Sequence, residues 1–154
     1  MEFNKIKTKY WNGFLFIIGT GFYIGKSKLF PGTLGSILAI PLVYYFGGKT
    51  FSVFLISILI FIVGILSSNY IIKLRSEKDP KEVVIDEIFG YFVSYLFIQP
   101  TLKTIVIGFL IFRFLDILKP FPIKLAEKLP KGYGVMTDDL LAGLMTLTIM
   151  KFIT

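Results

Sequence analysis

The 154-residue chain is 55% hydrophobic and 17% aromatic, only 18% charged, and carries a formal net charge of +7 with a mean hydropathy of +0.75. That balance excludes a disordered chain, argues against a soluble globular domain, and fits one domain over residues 1–154. With neither Cys nor His, disulfides, thiol chemistry, a phosphohistidine route and the commonest zinc ligand are excluded, leaving Asp, Glu, Lys, Arg, Ser, Thr, Tyr or a hard metal ion for any catalysis.

In chain order, residues 14–24 form a short apolar run after Lys5, Lys7 and Lys9. It is too short to span a bilayer. It follows basic residues as a signal peptide does but lacks a small-residue cleavage site, so it is expected to be retained as a short interfacial helix. Residues 29–48 and 50–72 are uncharged stretches of 20 and 23 residues. At about 1.5 Å per residue each covers the roughly 30 Å of hydrocarbon. Three shorter apolar stretches follow at 83–99, 103–118 and 140–154, of a length that can pack inside a bundle. Gly47-Gly48 and Gln99-Pro100 read as tight turns, Asp79-Pro80 breaks a loop, and Pro120 and Pro122 end the fourth stretch. The expected fold is an all-α integral membrane helix bundle of about five spans plus the N-terminal interfacial helix.

The basic residues alternate along this layout: five before the first span, then one, four, one, four and one, with Arg113 inside a span. The positive-inside rule places the N-terminus, the 73–82 loop and the 119–138 loop in the cytoplasm. The net charge then reads as attraction to anionic headgroups. Nucleic-acid binding is disfavoured, because the cations are dispersed in loops between apolar segments.

All ten carboxylates fall on or near the inner side. Glu2, Glu77, Asp79, Glu82 and Glu127 read as solvated loop charges. Asp86 and Glu87 enter the third span, Asp116 lies near the end of the fourth, and Asp138 and Asp139 open the fifth. Acids at helix N-termini are also favourable caps worth roughly 0.3–1 kcal/mol, and each of Asp86, Asp138 and Asp139 is open to that reading alone. Asp116 lies at the unfavourable end, where Arg113, three residues earlier, shares its face and Lys119 continues it. Two carboxylates about 4 Å apart repel by roughly 4 kcal/mol at an effective dielectric near 20. Five acids against Arg113 and Lys119 leave an excess of three negative charges. A divalent cation held by oxygen ligands, magnesium rather than zinc, offsets most of it.

On the same face, Pro31-Gly32-Thr33-Leu34-Gly35-Ser36 opens the first span. Small and hydroxylated residues at a helix N-terminus can offer N–H groups to phosphate, or serve only close helix packing. Gly132-Tyr133-Gly134 is either a substrate-admitting loop or a turn.

These blocks together resemble the phosphatidylglycerophosphatase A family of bacterial membrane lipid phosphatases. The matching residues are Pro31-Gly32-Thr33-Leu34-Gly35-Ser36 with Pro41; Asp86-Glu87 with Gly90; Arg113-Phe114-Leu115-Asp116-Ile117-Leu118-Lys119-Pro120-Phe121-Pro122; and Gly132-Tyr133-Gly134-Val135-Met136-Thr137-Asp138-Asp139 with Ala142-Gly143. They run in the family's order between residues 19 and 148, and Lys28 departs from the Pro common there. The resemblance implies an all-helical protein of the bacterial inner membrane. It also implies magnesium-dependent removal of the terminal phosphate from phosphatidylglycerol phosphate, which the charge layout above places at the cytoplasmic face.

On that reading Asp86, Glu87, Asp138 and Asp139 hold Mg2+ directly or through water. Arg113 and Lys119 neutralise the phosphate, and Thr33, Gly35 and Ser36 complete its cradle. Asp116 is a ligand, a general base or the orienter of Arg113. The chain has no haloacid-dehalogenase-type nucleophile motif and no alcohol-phosphotransferase signature. A cation- or proton-coupled transport subunit is the alternative, disfavoured because the acids cluster at one end of the helices rather than at mid-bilayer. A purely structural helix bundle would leave them without purpose.

Overall fold

The computed structural model describes residues 2–153, with side chains from Lys9 onward; Glu2, Lys5 and Lys7 as charge carriers lie outside the described side chains. Among the described residues the regular elements are all helical.

Helix α1 (Glu2–Gly19) is one continuous 18-residue helix rather than the short one expected over 14–24. Its end is set by Thr20, whose hydroxyl donates to the Phe16 carbonyl at 2.8 Å and accepts from the Tyr23 N–H at 3.2 Å. Gly21, Phe22 and Tyr23 follow with positive φ, and the reversal closes through a short 3₁₀ turn.

The expected rod over 29–48 is instead two short helices, α2 (Pro31–Leu38) and α3 (Ile40–Phe46). Pro41 has no N–H to give the carbonyl four residues back, and its ring crowds that turn, so the helix breaks at Ala39. Helix α4 (Thr50–Arg75) runs 26 residues, about 39 Å at 1.5 Å per residue. Among the described residues it alone is long and apolar enough to cross a membrane, and only 17% of its most apolar stretch is buried.

The segment expected to span over 83–99 forms only the nine-residue helix α5 (Ile85–Val93), about 14 Å long. All its residues except Glu87 are buried. It is therefore the enclosed centre of the bundle, in contact with α2, α3, α4, α6 and, most extensively, α8. Helix α6 (Leu102–Leu118) begins with a capping box between Thr101 and Thr104. It is tied to α5 by Tyr91 Oη donating to the Ile105 carbonyl at 2.8 Å, and next to it by Tyr95 Oη to the Thr104 carbonyl at 2.7 Å.

After the one-turn helix α7 (Ile123–Ala126), α8 spans Gly132–Ile153. It starts earlier than the 140–154 expected, so Gly132-Tyr133-Gly134 is its first turn rather than a loop. The α5–α8 contact depends on two glycines. A Cβ on Gly143 would stand 2.2 Å from the Gly90 carbonyl oxygen, and one on Gly90 would stand 2.4 Å from the Asp139 carbonyl oxygen. Backbone meets backbone there, and the start of α5 is drawn against the acidic turn of α8.

Candidate functional site

Four elements and one loop enclose a cleft of about 360 Å³ at one end of the bundle. The start of α5 contributes Asp86 and Glu87, the end of α6 contributes Arg113, Asp116 and Ile117, and Lys119 follows it. Helix α8 contributes Asp138 and Asp139, the start of α2 contributes Pro31, Gly32 and Thr33, and the loop before α5 contributes Asp79 and Lys81. The three acidic helix segments expected to meet do meet. Asp138 and Asp139, however, lie about two turns inside α8, beyond the reach of the helix-terminal field, so capping does not account for them. Asp86 and Glu87 do occupy the first turn of α5.

Gly32 explains how α2 closes the cleft: a Cβ there would stand 2.0 Å from Glu87 Oε1 and 3.2 Å from Arg113 Nη1. Thr33 lines the cleft beside it. Gly35 and Ser36 do not line it. Gly35 packs against Val84, and the buried Ser36 hydroxyl donates to the Gly32 carbonyl at 3.0 Å.

The acids divide into two groups. Asp86, Glu87 and Asp139 each direct a carboxylate oxygen to a common region, all within 4.8 Å of one another. Asp86 Oδ1, Glu87 Oε2 and Asp139 Oδ1 are buried without a hydrogen-bond partner. Desolvated carboxylate oxygens converging without donors suit a hard cation, which accepts several oxygen ligands and offsets their repulsion. This cluster can hold a metal ion.

Asp138, expected among the ligands, is turned away from that trio. Its Oδ2 accepts from Lys119 Nζ at 2.6 Å and its Oδ1 from the Asp139 N–H at 3.0 Å. Lys119 Nζ also donates to Glu127 Oε1 at 2.7 Å. Burial by itself lowers the Lys119 pKa, but the hydrogen bonds and charges of Asp138 and Glu127 outweigh it and hold the ammonium above its ordinary value. Arg113 Nη1 donates to Asp116 Oδ2 at 2.6 Å and lies 3.9 Å from Glu87 Oε1, while its Nε is buried without a partner.

Two residues read as solvated charges act here. Asp79 lines the cleft through loop folding alone, and Glu127, outside the lining, grips Lys119 across Pro120 and Pro122, a spacing with no helical periodicity to announce it. Glu82, by contrast, pairs with Arg75 away from the cleft.

The family model for phosphatidylglycerophosphatase A matches residues 17–154. The chain belongs to the phosphatidylglycerophosphatase A family. It is accordingly a phosphatase, and the resemblance read from the four sequence blocks is confirmed. It is 32% identical to phosphatidylglycerophosphatase A of Escherichia coli, across 89% of this chain and 81% of the relative. It is 36% identical to the Haemophilus influenzae protein of the same name, across 87% and 85%. A putative phosphatidylinositol-3-phosphatase of Bacteroides thetaiotaomicron is 33% identical, across 87% and 89%. No solved structure matches the chain.

Proposed function

We propose that the chain is a magnesium-dependent lipid phosphatase, one membrane-embedded domain over residues 1–154, hydrolysing the terminal phosphomonoester of phosphatidylglycerol phosphate. The observation that carries this is the pairing, in one cleft, of donor-free carboxylate oxygens on Asp86, Glu87 and Asp139 with the cations Arg113 and Lys119. A site for a divalent cation thus faces groups suited to phosphate. Six acids and three bases line the cleft, so its surplus negative charge calls for a cation before an anionic headgroup enters. The names of the Escherichia coli and Haemophilus influenzae relatives support the choice of lipid.

A bound divalent cation supplies positive charge for the phosphoryl oxygens and acidity for the attacking water. The remaining work falls to the chain. Phosphomonoester hydrolysis needs roughly 20 kcal/mol of barrier reduction. Arg113 presents a planar fork to the phosphate and Asp116 fixes the orientation of that fork, which favours the orienting role for Asp116. Lys119, gripped between Asp138 and Glu127, presents a fixed ammonium. Thr33 lines the same cleft with Pro31 and Gly32 at the start of α2, where first-turn N–H groups lack intrahelical partners. Asp138 serves through Lys119 rather than as a direct ligand.

For the membrane arrangement we take α4 as a full span packed against α1, α5 and α8, with α5 enclosed at the centre of the bundle. Lys81 and Lys119 line the cleft, and Lys73, Arg75, Lys78, Lys124, Lys128 and Lys131 lie within about a dozen residues of them in the chain; the positive-inside rule assigns this end to the cytoplasmic side of a bacterial inner membrane. The transport alternative gains no support from the family.

The test is phosphate release from phosphatidylglycerol phosphate by purified protein, with and without magnesium, beside Asp139→Asn. Magnesium-dependent release lost in the variant is expected. Release without magnesium, none from the wild type, or full activity in the variant would end the assignment.

A further inference from the structure

The lining of the cleft is of two kinds. The loop before α5 contributes the exposed Asp79 and Lys81. Phe30, 75% exposed, and Ile117, 69% exposed, line the same cleft as Asp86 and Arg113. Phe30 immediately precedes α2 and Ile117 lies in α6, and these helices pass close by at Gly32 and Arg113. The apolar part continues outward. Leu29 precedes Phe30, and Phe114, Ile117 and Leu118 are all exposed at helical spacing on one face of α6. This face begins at the rim of a cleft lined by nine charged residues.

We infer that the opening between Phe30 and Ile117 is a lateral portal to the bilayer. Through it a lipid phosphate places its headgroup in the cleft while its acyl chains lie along the Phe114–Leu118 face of α6. The occupant is a molecule with an anionic phosphate joined to hydrocarbon chains, because the charged and the exposed apolar residues that line this one cleft complement those two parts. The Asp79–Lys81 side then faces water and lets inorganic phosphate leave. The inference rests on the phosphatase reading for the headgroup, but the position of the portal does not.

Two measurements separate these. In full-length protein carrying Trp11→Phe and reconstituted into vesicles, Phe30→Trp, Ile117→Trp and Lys81→Trp each provide one fluorophore. Lipids brominated on their chains should quench positions 30 and 117 at least threefold more than position 81. Equal or reversed quenching overturns the portal, including the case in which a second copy of the chain covers this face. In assays, Phe30→Ser and Ile117→Ser should lower kcat/KM for a long-chain lipid phosphate in vesicles about tenfold more than for a short-chain, water-soluble lipid phosphate. An equal loss on both substrates means a structural role and refutes the portal. A wild type inactive on both refutes the phosphatase reading instead, and the quenching pattern still decides the portal.

Discussion

Lys119 and Asp138, nineteen residues apart, meet through a 2.6 Å hydrogen bond that fastens the end of α6 to the second turn of α8. Lys119 has positive φ at the C-cap of α6, so the chain turns there and the ammonium is delivered inward. Glu127 then holds it from the far side of Pro120 and Pro122. One cation thereby fixes the relative position of the end of α6, α8 and the segment after α7.

Lys119→Met should leave the Asp138 carboxylate buried and unpaired. A loss of about 3 kcal/mol is expected, together with most of the activity. Glu127→Gln removes a more exposed partner and should cost under about 1 kcal/mol. Thermal melts of the detergent-solubilised variants rank the two, and equal destabilisation would contradict this assignment of roles.

Gly90→Ala should separate α5 from α8, because its Cβ would meet the Asp139 carbonyl oxygen at 2.4 Å and the Phe112 ring at 2.9 Å. Overpacking of this kind costs about 1–3 kcal/mol. It also moves Asp86 and Glu87 away from Asp139, so magnesium affinity should weaken even at temperatures where the variant stays folded. Calorimetric titration checks this, and unaltered affinity would count against the glycine contact as the device that builds the site.

Asp86, Glu87 and Asp139 should act as one cation site. Chelation is expected to abolish phosphate release, and added magnesium to restore it. Asp139→Asn should lower magnesium affinity and reduce kcat by about 100-fold or more. Asp138→Asn should instead affect stability more than metal affinity, since its oxygens bond Lys119 and a backbone N–H. If titrations show Asp138→Asn losing the metal and Asp139→Asn keeping it, the division of the acids into two groups is wrong.

Ser36 and Arg113 make a paired test of the phosphate wall. Ser36→Ala removes a buried hydroxyl bonded to the Gly32 carbonyl and should cost about 1 kcal/mol of stability with kcat/KM within about twofold of wild type. Arg113→Lys keeps the charge but loses the planar fork held by Asp116, and should reduce kcat/KM by about 100-fold. Comparable kinetic effects from both variants would show that the cleft was misassigned.

Much was readable from the residues themselves. Apolar runs and sparse charge declared an all-helical chain, and the order of the blocks around Gly32, Asp86, Arg113 and Asp138 declared the family, because hydropathy and motif spacing are local properties of the chain. Helix length was less legible. Five uncharged or weakly charged stretches looked like five rods, yet Pro41 divided one and the 83–99 stretch shrank to the buried α5. An apolar run reports that a segment avoids water, and it does not report whether lipid or protein surrounds it.

Which carboxylates converge was decided only by tertiary structure. Asp138 and Asp139 are neighbours in the chain, but successive helical residues point about 100° apart. One therefore meets Lys119 and the other meets Asp86 and Glu87. Asp79 as a member of the cleft and Glu127 as the partner of Lys119 were invisible for the same reason: the segments they meet are distant in the chain, and the closeness that gives a charge its role comes from packing at contacts such as Gly90 against Asp139.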